Sequence, residues 1–271
     1  MSRLKISAIS YLNTAPLLWD FEHGEAGANF DVGYTFPSAC AKALQEGAAD
    51  IGIIPAAAYA SIPDLAVIPD IAIASKRAVR SILLVSKVPL EQVRSVALDT
   101  SSMTSVALTK ILFAKWLGGR RDYIPMSPGL KEMLSACDAA LLIGDPALQV
   151  DRARYVTLDL AEEWIARTGK SFVFAFWAVR KEALAGRDAA GIADTFRKSR
   201  DHGLGAKNLE TIVQEWAPKL KLPAKAIRTY LTHNIHYYLD PPCLEGLQLF
   251  YQYGEELGIL PQAPRLHCFG G

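Results

Sequence analysis

Cysteine is scarce in this chain: four among 271 residues, Cys40, Cys137, Cys243 and Cys268, with no Cys-x-x-Cys pair. That scatter excludes a disulfide framework and a zinc ribbon, and leaves reduced thiols. Long apolar runs are missing too. No stretch approaches the roughly 18 unbroken apolar residues of a membrane-crossing helix. The N-terminal segment reaches Tyr11 and Asn13 before any signal-peptide core or cleavage site develops. With Met1 as the natural start, a soluble cytoplasmic protein is expected. Nor is there an excess of one charge. Twenty-nine Lys and Arg against 28 Asp and Glu leave a net +1, without the basic surplus of a dedicated nucleic-acid or anionic-membrane binder. The expected partner is a small molecule, with no nucleic acid and no membrane, and either a monomer or a dimer fits.

Cofactor signatures are equally absent. Neither Gly-x-Gly-x-x-Gly nor Gly-x-x-x-x-Gly-Lys-Ser/Thr occurs, so a nucleotide cofactor has no support, and the lack of Gly-x-Ser-x-Gly weakens hydrolase chemistry. His233 and His236 stand three apart, but no His-Glu-x-x-His pattern or convincingly spaced carboxylate accompanies them. No metal and no cofactor are expected.

What is present is a chain able to bury a core. Half its residues are hydrophobic (51%) and 21% are charged, which excludes disorder as the main state. At roughly 150 residues per domain the length suggests about two compact units. The pattern is strand, loop and helix repeated: a strand at Lys5 to Ile9, a helix begun near Pro16, a strand from Asp31, an Ala-rich helix after Pro37-Ser38, and a strand at Asp50 to Ile54. The near-continuous apolar runs Ile51 to Ile54, Ile71 to Ala74 and Ile82 to Val85 suit a parallel sheet covered on both faces. A second series follows. It comprises a strand at Ser95 to Leu98, a polar loop, a helix at Thr104 to Leu117, and a buried strand at Asp138 to Ile143 running into Gly144-Asp145-Pro146. After an aromatic-rich strand at Phe172 to Val179, helices predominate: Ala190 to His202, Leu209 to Leu220, Ala224 to Thr232 and Leu244 to Leu257.

Two long β-segments, Ser81 to Lys87 and Phe172 to Arg180, bracket the middle series, so they read as the two connections between lobes. The expected α/β architecture has a discontinuous first lobe, residues 1–86 and 177–271, and a second lobe, residues 87–176, around a cleft. Ligands of open α/β sheets sit beyond the carboxyl ends of strands. Asn13, Ser38, Ser81, Ser101 to Ser105 and Gly144-Asp145 fall at such places.

Each of these positions has a structural use as well as a chemical one. The run Asp99-Thr100-Ser101-Ser102-Met103-Thr104-Ser105 puts hydroxyls at a helix start, where side chains and free N–H groups bind carboxylates; any one of them also serves as an ordinary N-cap. Asn13 can orient a hydroxyl or carboxylate through one rigid amide, or simply form a turn. Asp145 can receive a substrate hydroxyl or move a proton, or cap the next turn. Arg80 can face a carboxylate with its planar fork, or lie exposed.

Taken together, Ser10-Tyr11-Leu12-Asn13-Thr14-Ala15-Pro16-Leu17, Arg80-Ser81, Thr100 to Ser105, Leu142-Ile143-Gly144-Asp145-Pro146-Ala147-Leu148 and Phe172 to Ala178 resemble the chorismate dehydratases of the futalosine route to menaquinone. The blocks stand in the family's order over residues 10 to 178. The resemblance implies a type II periplasmic-binding-protein-like fold, two α/β lobes with an inter-lobe cleft. It also implies removal of water from chorismate to give 3-[(1-carboxyvinyl)oxy]benzoate, without a cofactor. It assigns catalysis to Asn13 and Ser81 and substrate contacts to Ser102, Thr104, Ser105 and Asp145; Ser38, Arg80 and Gly144 join the expected substrate-binding residues from their places near the cleft. Met103 departs from relatives with Arg there, which puts carboxylate binding onto hydroxyls, backbone N–H groups or Arg80. Ser10 to Asn13 lacks the Ser-Pro and Asn-Asp-Thr-Phe opening of the sister cyclising enzyme. Two rivals share the fold: an exported solute-binding protein, and a ligand-sensing regulator, for whose DNA-binding helices no room precedes the first strand.

Overall fold

A computed structural model describes residues 3–269 as two five-stranded mixed sheets with helices packed around them. The strands are β1 Leu4–Ile9, β2 Phe30–Thr35, β3 Ile51–Pro55, β4 Leu65–Ser75, β5 Ile82–Ser86, β6 Ser95–Asp99, β7 Asp122–Met126, β8 Ala139–Ile143, β9 Val156–Asp159 and β10 Phe172–Arg180. Their orders are β2-β1-β3-β10-β4 and β7-β6-β8-β5-β9. The protein is thus two-lobed α/β, as expected.

The buried runs became the inner strands. β3, β5 and β8 are buried at every position, and β10 at all but its last residue. A strand with neighbours on both sides and helices above and below has no wet face, so period-two alternation disappears. The purely parallel expectation is corrected. β10 runs antiparallel to both β3 and β4, and β5 antiparallel to β8 and β9. These are the strands by which the chain passes from one sheet to the other. Ile82–Ser86, expected in the first lobe, hydrogen-bonds into the second sheet, and Phe172–Phe176, expected in the second, belongs to the first. An unbroken β10 paired along both edges cannot be divided between sheets.

Three helix starts follow the local rules. Pro37 occupies the first turn of the helix Pro37–Gln45, Asp159 caps Leu160–Thr168, and Asp240 caps Pro241–Glu256. Pro16 does not begin a helix as expected. It lies inside a 3₁₀ stretch, Leu12–Leu18, followed by a short helix, Trp19–His23. Helix Ala189–Leu204 packs over that stretch. A Cβ on Gly203 would lie 2.1 Å from the Pro16 carbonyl oxygen, and Ser199 donates to the Leu17 carbonyl at 2.9 Å. The helix expected at Ala224 to Thr232 changes character: Ala224–Thr229 is α-helical, and Tyr230–Asn234 widens into a π turn.

Candidate active site

The first loop is held rigid from within. Thr14 Oγ1 donates to the carbonyls of Ile9 (2.5 Å) and Tyr11 (2.7 Å), and Tyr11, Leu12 and Thr14 are all buried while Asn13 is half-buried. Asn13 therefore projects from a fixed backbone into a cavity of about 50 Å³ between the sheets. Ser102, Thr104, Ser105 and Gly144 reach the same cavity, with Tyr11, Ile73, Ile82 and Phe174 completing much of its wall. Five of the nine residues expected at the site are thereby brought together.

The hydroxyl cluster divides by partner. Ser101 is bound to Asp99 at 2.6 Å. Ser102 Oγ accepts the Ser105 N–H at 3.3 Å, the capping role of a helix start. Thr104 Oγ1 accepts from the Ala57 N–H (3.1 Å) and donates to the Phe174 carbonyl (3.0 Å), so its hydroxyl ties two parts of the backbone together. The Ser102 proton and the Ser105 hydroxyl remain to serve a ligand. Burial raises the Asp99 carboxyl above its usual range, opposed by the Ser101 bonds.

The other four expected residues do not line the cavity. Ser38 bridges the sheets through its N–H to the Ser101 carbonyl (3.0 Å) and its hydroxyl to the Thr100 carbonyl (3.2 Å). Asp145 accepts the Leu12 N–H at 3.1 Å, and burial pushes its carboxyl up to about 6. Ser81 is fully buried and accepts the Tyr230 phenolic proton at 2.8 Å. Arg80 is exposed and is not brought to the cavity. It borders a separate depression with Tyr230, Leu148 and Lys225. Its left-handed backbone (φ 68°) is held by Asp159, which accepts the N–H groups of Val79 (3.1 Å) and Arg80 (2.6 Å) while capping Leu160–Thr168.

Tyr11 and Tyr230 were not among the expected site residues. Tyr11 lay within a quoted motif and could have been found there; its ring packs so closely on Gly144 (φ 61°) that a Cβ would lie 2.6 Å from ring carbons. Tyr230 carries no signal, because a π turn has no sequence period of its own. The two spaced histidines do not converge: His233 contacts Thr232, and His236 bonds Asp240, which also pairs with Lys76.

No charged side chain lines the cavity among the described residues. Amide and hydroxyl donors on apolar walls suit a small ligand whose negative charge is met by hydrogen bonds. Fold and site together define a two-lobed, binding-protein-like molecule with a donor-lined cleft. Solved structures agree on the fold. A protein from Archaeoglobus fulgidus is similar at a TM-score of 0.74, with 15% identity, covering 95% of this chain and 98% of that one. The periplasmic aliphatic sulphonate binding protein SsuA from Escherichia coli is similar at 0.64, with 17% identity over 97% and 95% of the two chains.

Sequence comparison goes further than fold. The menaquinone biosynthesis family matches residues 4–256. A chorismate dehydratase from Thermus thermophilus is 32% identical over 275 aligned positions, covering 95% of this chain and 96% of the relative. The chain belongs to this menaquinone biosynthesis family.

Proposed function

We propose that the protein is a chorismate dehydratase, converting chorismate into 3-[(1-carboxyvinyl)oxy]benzoate and water in the cytoplasm. The observation that carries this reading is the match to a chorismate dehydratase along nearly the whole chain. The cavity fits it chemically. The ring proton to be lost is allylic and conjugated through the diene to the ring carboxylate. Its removal spreads an electron pair onto that carboxylate, and the pair returns to expel the neighbouring hydroxyl, which leaves with a proton as water. The ring becomes aromatic, so the step runs strongly downhill.

The site must then hold two carboxylates and a departing hydroxyl in one geometry and meet developing charge with fixed donors. Asn13 and Ser81 orient the reacting centre, while Ser102, Ser105 and the adjoining helix start receive a carboxylate. No carboxylate, imidazole or amine lines the cavity among the described residues, so one of the substrate's own carboxylates takes the ring proton. A cavity of about 50 Å³ is small beside a ten-carbon dicarboxylate, given that one water occupies about 30 Å³ in the liquid. Admission therefore requires the lobes to part, and closure expels water.

The test is incubation of the purified protein with chorismate and no added cofactor, followed by mass and ultraviolet spectra. Appearance of the enolpyruvyl benzoate is expected. Chorismate bound but unchanged would instead favour a non-catalytic binding protein of the same fold.

A further inference from the structure

Tyr230 is buried although its phenol is polar, and the hydrogen bond of that phenol leads back to the candidate active site. Its hydroxyl donates to Ser81 Oγ at 2.8 Å. The π turn sets this placement. One wide turn at the end of Ala224–Thr229 carries Tyr230 inward, where a regular helix would continue its 3.6-residue course. The turn is fastened to the segment that precedes Ser81: Asn234 Nδ2 donates to the Ala78 carbonyl at 2.9 Å, and Ser75 Oγ to the Asn234 carbonyl at 2.9 Å. Gly144, a cavity residue, donates its N–H to the Ser81 carbonyl at 2.8 Å.

We propose that Tyr230 is a positioning residue for the dehydration, holding the Ser81 hydroxyl as a hydrogen-bond donor directed at the reacting centre. This rests on the dehydratase reading. The phenol donates to Ser81 Oγ, and Ser81 is left with one proton to give. No acceptor for that proton is found among the described residues. Ser81 adjoins the cavity residue Ile82 in the chain and its carbonyl accepts the N–H of Gly144, another cavity residue, so the departing hydroxyl or the charged ring system is the acceptor it can serve. The bond from the phenol polarises the Ser81 hydroxyl, which strengthens it as a donor. Tyr230 does not itself supply a phenolate: burial raises its pKa above the ordinary tyrosine value, against the opposing effect of the Ser81 bond. Its work is to fill the acceptor side of Ser81 Oγ, so that the Ser81 proton is directed away from the phenol.

Turnover of chorismate by wild type, Tyr230→Phe, Ser81→Ala and the double variant, with melting temperatures for each, tests this. Tyr230→Phe should lower kcat roughly tenfold or more with KM changed less than about twofold, and adding it to Ser81→Ala should cost nothing further. A kcat near wild type, or losses that multiply in the double variant, would overturn the proposal. Should Tyr230→Phe fail to fold, 3-fluorotyrosine at position 230 keeps the ring and its hydroxyl while altering its acidity. A changed kcat at constant KM then supports the role, and an unchanged one removes it. An inert wild type would instead overturn the dehydratase reading and this role with it, an outcome distinct from an active enzyme indifferent to Tyr230.

Discussion

The carboxylate of Asp145 accepts the backbone N–H of Leu12 at 3.1 Å, joining the end of β8 in the second sheet to the first loop beside β1. The 3₁₀ stretch Leu12–Leu18 has no capping side chain of its own at Tyr11, so Asp145 supplies the cap from across the cleft. Beside it the Tyr11 ring covers Gly144. Two residues expected to touch substrate thus also fasten one lobe to the other.

Burial pushes the Asp145 carboxyl up to about 6, from about 3.9 in an unfolded chain. The native state then binds more protons than the unfolded state between those values. This group's contribution to stability therefore falls as pH rises through that window and is level above it. Asp145→Asn keeps an oxygen for Leu12 and removes the charge. Its melting temperature should fall less than that of wild type between about pH 4 and pH 6, a relative gain of about 1–2 kcal/mol after allowance for partial exposure. Parallel melting curves across that range would refute the assignment.

Gly144 combines φ 61° with the Tyr11 ring 2.6 Å from any Cβ. Gly144→Ala should lower stability by roughly 1–3 kcal/mol and depress kcat/KM. Tyr11→Ala in the same background should recover part of the melting temperature by clearing the contact, although not the backbone strain. Recovery to wild-type stability would show that φ costs nothing there.

Thr104 and Ser105 are adjacent yet differ in partners, and the difference is measurable. Thr104→Val loses the bonds to Ala57 and Phe174 and leaves a buried N–H and carbonyl unpaired, so a loss of about 1–3 kcal/mol in stability is expected. Ser105→Ala should leave the melting temperature near wild type and raise KM for chorismate several-fold. Equal behaviour of the two variants in both assays would contradict the division of roles.

Asn13→Ala and Ser81→Ala should each reduce turnover more than about tenfold with folding intact, as loss of a donor aimed at developing charge does. Near-normal rates in both would remove them from the mechanism.

Much of the fold was legible because its inner strands are unbroken apolar runs. Ile51 to Ile54, Ile82 to Val85 and Phe172 to Val179 could only be strands covered on both faces. Among the unread elements were the edges of the second sheet, β7 and β9, with Leu130–Ala136 and Leu160–Thr168 beside them. β7 is largely exposed and contains Pro125, and edge strands bury too little to leave a pattern.

The sequence by itself determined the strand-loop-helix units, the donor-rich helix start at Ser102 to Ser105, the first loop with Asn13 and the likeness to a dehydratase family. These depend on neighbours along the chain or on motifs kept in order. Tertiary structure decided which hydroxyls remain available, that Arg80 stands away from the cavity, and that Tyr230 reaches Ser81 across 149 residues of chain. A hydrogen bond is claimed by whichever partner the packed backbone brings within about 3 Å, and residue type alone does not name that partner.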